Sequence, residues 1–187
     1  MVQLAACDDR MVVGEFLQFL ETRPDEEKWE LLDGMPVMNA APVYRHQRIV
    51  FNLLKCLGAQ EKHPNPPWVV IPGIGVRVSD YSLPVPDVMV VPPLAAEAHY
   101  CDNIFAAFEV MSPSTKKRDL TWKRKAYAGI ASVQHYVIII PERTEVLHFR
   151  RTAGWQDVKL AAMEDRLEFP ELRLGLKLSD IYFGLGY

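Results

Sequence analysis

The chain is poor in cysteine. Cys7, Cys56 and Cys101 are its only three, and none forms a Cys-x-x-Cys pair. That spacing argues against both a disulfide framework and a zinc cluster. No apolar run approaches the roughly 18 residues that a membrane-crossing helix needs. The opening Met1-Val2-Gln3-Leu4-Ala5-Ala6-Cys7-Asp8-Asp9 has no basic start and no long apolar core, so it does not read as a secretory signal. Charge of one sign is not in excess either. The net charge of −3 excludes capture of a polyanion by overall attraction and leaves local basic patches as the electrostatic route. Repeats, low-complexity tracts and linkers are missing as well. Together these absences lead to the expectation of a soluble, cytoplasmic protein with no membrane partner.

What the chain does have is material for a core. At 187 residues and 49% hydrophobic content, one domain over 1–187 can bury a full-sized interior. Met11 to Thr22 carries apolar residues at helical spacing and is closed off by Pro24. Trp29 to Asn39 reads as a hairpin turning at Asp33-Gly34. Tyr44 to Lys62 is the clearest helix, with a stripe of Ile49, Val50, Leu53, Leu54 and Leu57, and His46 lies on the edge of that stripe. Strands are expected over Trp68–Val78, Val85–Val91, Ile104–Met111 and Val133–Ile140, and a hairpin from Glu145–Arg150 and Gly154–Leu160. Hydroxyls in Ser112-Pro113-Ser114-Thr115 are candidate caps for a helix over Lys116–Gly129. The fold class is mixed α/β, with a central sheet flanked by helices.

Three charges interrupt these apolar elements. Asp87 starts the strand Pro86-Asp87-Val88-Met89-Val90-Val91, Glu109 sits near the end of Ala106-Ala107-Phe108-Glu109-Val110, and Lys123 follows on a helix. A charge inside an apolar run costs several kcal/mol unless it is paired or holds a metal. Two carboxylates converging from neighbouring strands make a Mg²⁺ or Mn²⁺ site completed by water. Leu120, Lys123, Tyr127 and Ile130 share one helix face, which turns Lys123 toward the sheet. An ammonium there can orient a nucleophilic water or stabilise charge on a phosphoryl group. The combination fits metal-dependent phosphodiester hydrolysis.

These motifs, taken in order, resemble the Uma-type restriction-endonuclease family of the PD-(D/E)XK nuclease superfamily. The match runs from Trp29-Glu30-Leu31-Leu32-Asp33-Gly34 through Arg45-His46-Gln47-Arg48-Ile49 and Val85-Pro86-Asp87-Val88. It continues with Phe108-Glu109-Val110-Met111-Ser112-Pro113-Ser114-Thr115, Asp119, Lys123, Tyr127 and Ile130–Val137, and covers about residues 11–155. The resemblance implies a restriction-endonuclease-like core and a Mg-dependent DNA endonuclease, with Asp87 and Glu109 as metal ligands. It also implies Glu30 as a third acid, His46 as a phosphate or water contact, and a homodimer. One departure stands out. The superfamily lysine belongs two residues after the acid, where this chain has Met111, and in the Uma-type pattern Lys123 on the next helix takes that place.

Glu109 is the hardest to explain as a plain strand residue, since strand interiors are depleted in glutamate, and structural alternatives remain open for the others. Asp87 can be a turn residue, Glu30 a solvent-facing hairpin residue, and His46 a hydrogen-bonded core histidine. Lys123 can snorkel to water or pair with Asp119. The basic cluster Lys116, Lys117, Arg118 and Lys125 is either a solvated helix face or a phosphate contact. His63, His99, His135 and His148 show no ligand spacing. Besides the endonuclease, the residues allow a catalytically silent nucleic-acid-binding or assembly module on the same fold, or hydrolysis of a non-nucleic phosphodiester.

Overall fold

The computed structural model describes residues 10–61 and 67–187. Cys7, His63 and the expected end of the second helix at Lys62 lie outside the described residues. Helix α1 (Val13–Glu21) is followed by the hairpin β1 (Lys28–Leu32) and β2 (Met35–Asn39), then α2 (Tyr44–Gly58). Next come β3 (Val69–Ile71), β4 (Gly75–Val76), β5 (Val88–Val91), β6 (Tyr100–Cys101) and β7 (Ala106–Val110). The helical crossover comprises α3 (Lys116–Arg118), a π-helical turn (Asp119–Lys123) and α4 (Arg124–Gly129). It leads to β8 (His135–Ile140), β9 (Glu145–Arg150) and β10 (Asp157–Leu160), and the chain ends with β11 (Arg166–Phe169), β12 (Leu174–Lys177) and α5 (Leu178–Ile181).

The main sheet has six strands in the order β10-β9-β8-β7-β5-β3. Only β7 and β8 run parallel, because only they are joined by a helical crossover; all other neighbours are antiparallel. Period-two alternation divides the side chains between two faces. Val88, Val90, Phe108, Val137 and Ile139 meet Ile49, Leu53 and Leu57 of α2 on one face, together with the β11–β12 hairpin. Met89, Ala107, Tyr136 and Ile138 meet Tyr127 and Val133 on the other. Each such large side chain contributes about 1.5–3 kcal/mol by burial, so the double-sided core can carry a few charges at its margin.

The Asp33-Gly34 turn is as expected: both residues have positive φ (51° and 84°), the geometry of a two-residue hairpin connection. Two expectations change, and a third holds at one residue. Trp68–Val78 is not one strand, since the chain bends at Gly73 (φ 70°) between β3 and β4. Of the hydroxyls before α3, Ser112 caps the turn that leads into it: its Oγ accepts the Thr115 N–H, Thr115 Oγ1 accepts the Ser112 N–H, and the Ser112 carbonyl accepts the Lys116 N–H. Thr115, directly before α3, makes no side-chain cap bond of its own. The helix expected over Lys116–Gly129 also carries a π turn at its middle. There the Tyr136 hydroxyl of β8 donates to the Asp119 carbonyl at 3.0 Å, so a side chain intrudes on the helical ladder.

Candidate active site

Pairing of β5 with β7 sets Val88 against Phe108, so one step further out Asp87 stands opposite Glu109. Both extend the Met89–Ala107 face, which the crossover helix covers. Asp87 is fixed from two sides: the Val110 backbone N–H donates to its Oδ2 at 2.7 Å, and His46 Nε2 from the first turns of α2 lies 3.2 Å from its Oδ1. Glu109, 4% exposed, accepts at Oε1 from Lys123 Nζ (2.8 Å) and from the Tyr127 hydroxyl (3.4 Å). Lys123 therefore does not snorkel. It is buried, and the π turn keeps Asp119, Lys123 and Tyr127 all buried on the sheet side.

The β1–β2 hairpin closes the site from the side. Leu31 and Leu83 exchange backbone hydrogen bonds, and the Asp33 N–H donates to the Ser82 hydroxyl. The Trp122 indole N–H reaches Asp33 Oδ2 at 2.7 Å, tying the hairpin to the crossover helix. This docking buries Glu30 completely. Its Oε1 lies 2.7 Å from Lys123 Nζ and accepts the Val85 N–H at 2.8 Å. Its Oε2 accepts from Asn39 Nδ2 and lies 3.1 Å from the Arg118 guanidinium, which also donates to Asn39 Oδ1. Lys123 thus sits between Glu30 and Glu109, with Asp119 Oδ1 at 3.9 Å.

The electrostatics follow from burial and this crowding. Burial holds the Glu109 carboxyl well above its ordinary range, and Asp119, Asp87 and Glu30 add to the effect while Lys123 opposes it. Glu30 is buried too, yet Lys123, the Val85 N–H and Arg118 outweigh the desolvation and hold it below its usual range. Burial pushes the Lys123 ammonium toward losing its proton, but the attraction of Glu109, Glu30 and Asp119 prevails and raises it. Asp119 is raised chiefly by desolvation.

The donor chemistry fits a divalent cation of the magnesium type. Asp87 and Glu109 offer hard oxygens from adjacent strands, and among the described residues Glu109 Oε2 has no hydrogen-bond partner. No group of three His, Cys, Asp or Glu side chains among the described residues converges as a ready cage. Mg²⁺ does not require one, since it commonly takes one or two carboxylates and keeps several waters.

Five of the residues singled out in the sequence therefore meet: Glu30, His46, Asp87, Glu109 and Lys123. Lys116, Lys117 and Lys125 are exposed on the crossover helix, whereas Arg118 turns inward to Glu30 and Asn39. Asn39 went unnoticed in the sequence. Its signal lay in the hairpin register: Glu30 pairs with Val37, so Asn39 is the diagonal neighbour on the same face. A second polar cluster was also missed. Pairing of β8 with β9 brings His135 Nδ1 within 2.9 Å of His148 Nε2, while His135 Nε2 lies 3.1 Å from Glu171. Spacing along the chain could not show this, because only the register aligns the two rings.

A mixed sheet flanked by helices, with paired carboxylates and a lysine at one strand end, defines a restriction-endonuclease-like α/β protein. The chain belongs to the Uma2 family, described as putative restriction endonuclease, whose model matches residues 13–180. That span reaches past the resemblance seen over 11–155 and takes in β11 and β12. A similar solved structure is that of a putative nuclease belonging to DUF820 from Anabaena variabilis. It shares 17% identity, covers 92% of this chain and 97% of its own, and superposes with a TM-score of 0.76. At that identity the likeness establishes the fold. No curated protein matches the chain. Among the described residues no helix is long and apolar enough to cross a membrane.

Proposed function

We propose that the protein is a Mg²⁺- or Mn²⁺-dependent endonuclease that hydrolyses DNA phosphodiester bonds. The observation that carries this reading is the Lys123 ammonium, held between Glu30 and Glu109 beside Asp87. Asp87 and Glu109 would hold the cation, which when bound supplies Lewis-acid charge and a more acidic water. The remaining work falls to the chain. Lys123 donates a hydrogen bond to the attacking water or to the oxygen that gains charge on the phosphoryl group. Glu30, itself fixed by Asn39, Arg118 and the Val85 N–H, holds Lys123 in place. His46 orients Asp87 from the other side. Lys116, Lys117 and Lys125, with Arg118 behind them, meet backbone phosphates as the duplex approaches. A homodimer would present two such sites to two strands, and the proposed setting is the cytoplasm.

The test is incubation with supercoiled plasmid and Mg²⁺ or Mn²⁺, for the parent beside Asp87→Ala and Lys123→Ala. The parent is expected to nick the plasmid, with both variants at least about 100-fold slower, the scale of losing one charge-stabilising group. Equal cleavage by all three overturns the assignment. The silent nucleic-acid-binding or assembly module is supported by a specific observation too: the Lys123 ammonium already faces three carboxylates and the Val85 carbonyl. Its mark would be oligonucleotide binding without cleavage under any divalent cation.

A further inference from the structure

Asp119 lies four residues before Lys123 on the crossover and has no task in the endonuclease reading. It is 1% exposed, as deeply buried as the two acids that hold Lys123. Its position is fixed from the sheet, because the Tyr136 hydroxyl donates to its backbone carbonyl at 3.0 Å. The π turn keeps both Asp119 and Lys123 in the interior. Yet among the described residues Asp119 Oδ1 has no hydrogen-bond partner. A buried polar oxygen left unbonded is costly, so such an atom in a native fold calls for a reason. Two cations act on Asp119, Arg118 and Lys123. Arg118 is committed to Glu30 and Asn39, which leaves Lys123, whose Nζ lies 3.9 Å from Oδ1.

The ammonium explains why that oxygen is unbonded. Lys123 has three N–H donors. They meet Glu30 Oε1 at 2.7 Å, Glu109 Oε1 at 2.8 Å and the Val85 carbonyl at 3.5 Å. Asp119 is thus one acceptor too many, and it gains a bond only when another acceptor gives one up. Glu109 is the acceptor with a second claim on it, as a candidate ligand of the divalent cation. An ammonium and a divalent cation on one carboxylate repel each other at short range. We propose that Asp119 is a positioning residue that takes over Lys123 when Glu109 turns to the cation. The ammonium then stays paired while its former partner is released. The shift is short. Nζ moves about 1 Å toward Asp119 to reach hydrogen-bond range, and Glu30 keeps hold of it throughout. The inference rests on the endonuclease reading for the cation. It can be tested without any cleavage.

The experiment titrates Mn²⁺ calorimetrically into the parent and Asp119→Asn, and records the melting temperature of each in EDTA and in Mn²⁺. The amide keeps the shape of the side chain but offers Lys123 no charge. In EDTA the variant is expected to melt close to the parent, since Lys123 keeps Glu30 and Glu109 as partners. Its Mn²⁺ affinity is expected to fall about tenfold or more, the scale for groups that support metal ligands from behind. Its gain in melting temperature from Mn²⁺ shrinks accordingly. An acid that merely adds negative charge near the cation would act equally without the lysine. The substitution is therefore repeated in Lys123→Met, where it is expected to leave Mn²⁺ affinity unchanged. A crystal structure with Mn²⁺ bound gives a reading that needs no variant. There Lys123 Nζ is expected within about 3.2 Å of Asp119 Oδ1 and no longer bonded to Glu109. Equal Mn²⁺ affinity in the parent and Asp119→Asn, equal losses in both backgrounds, or Nζ still on Glu109 beside the bound cation each overturns the inference. A lower melting temperature in EDTA with unchanged affinity marks a merely structural acid and overturns it too. A parent that binds no Mn²⁺ fails the endonuclease reading itself, and the inference falls with it.

Discussion

Lys123 Nζ lies 2.7 Å from Glu30 Oε1, and both side chains are sealed from solvent. Neither charge tolerates burial without a partner, and each is the other's shortest ion-pair contact. Removing Lys123 leaves Glu30, Glu109 and Asp119 without their shared cation. Lys123→Met is therefore expected to cost about 3–5 kcal/mol of stability, the usual penalty for stranding a buried charge. Urea unfolding checks this, and a double-mutant cycle with Glu30→Gln should show coupling of at least about 1 kcal/mol. Additive losses would mean that the two groups do not depend on one another.

Asp87 can be tested without disturbing its surroundings as severely. Its Oδ2 accepts the Val110 N–H, and an amide oxygen can still accept that bond. Asp87→Asn is thus expected to fold with nearly the parent's stability while losing affinity for Mg²⁺ or Mn²⁺ by about 10–100-fold or more, as a ligand carboxylate becomes neutral. Isothermal titration with Mn²⁺ reads this directly. In the parent, cation at about 100 times its dissociation constant should raise stability by roughly 2.7 kcal/mol. A parent that gains nothing from either cation would count against Asp87 and Glu109 as ligands.

The His135–His148 pair predicts an acid sensitivity unrelated to the active site. Burial, with the neighbouring His135 and Arg150, pulls His148 down to about 3, and burial also lowers His135 against the pull of Glu171. With Glu171 ionised, His135 donates from Nε2 to it and accepts at Nδ1 from His148 Nε2–H. Both rings are then neutral in the fold. The unfolded chain takes up these protons near pH 6.5, so stability present above that pH declines as the pH falls toward 3. The slope per proton is about 1.4 kcal/mol per pH unit. His148→Gln is expected to flatten this acid limb relative to the parent in urea titrations between pH 4 and pH 7. An acid limb of unchanged slope would assign the sensitivity to carboxylates instead.

Much of the fold could be read in the sequence because its signals were local. The Asp33-Gly34 turn, the α2 stripe and the β-branched run at Val137–Ile140 each encode their own geometry. The candidate site was legible where a charge broke an apolar period, as with Asp87, Glu109 and Lys123. What escaped depended on pairing between distant segments. Asn39 reaches Glu30 only through hairpin register, His135 meets His148 only through the β8–β9 ladder, and the π turn follows from a tyrosine on β8. Arg118 looked like a member of a solvated basic face, because nothing in its neighbours announces that Glu30 would be buried beside it.

Met111 offers the sharpest test of where the lysine belongs. It continues the alternation of Ala107 and Glu109, so its side chain is on the same face as the paired carboxylates, and it is 8% exposed. If Lys123 does the work of a lysine placed two residues after the acid, its position on the crossover helix is not the only one that can serve. Lys123→Met alone is expected to abolish plasmid nicking. Adding Met111→Lys in the same chain returns an ammonium to that face from the strand, and the methionine at position 123 fills the volume left behind. The double variant is expected to recover at least about tenfold of the lost nicking rate, roughly 1.4 kcal/mol of transition-state stabilisation. It should also regain part of the stability lost in the single variant, since Glu109 again has a cation beside it. Stability restored without any nicking would show that Lys123 only neutralises its buried acids. Recovery of both would place the ammonium itself in the chemistry, whichever element carries it.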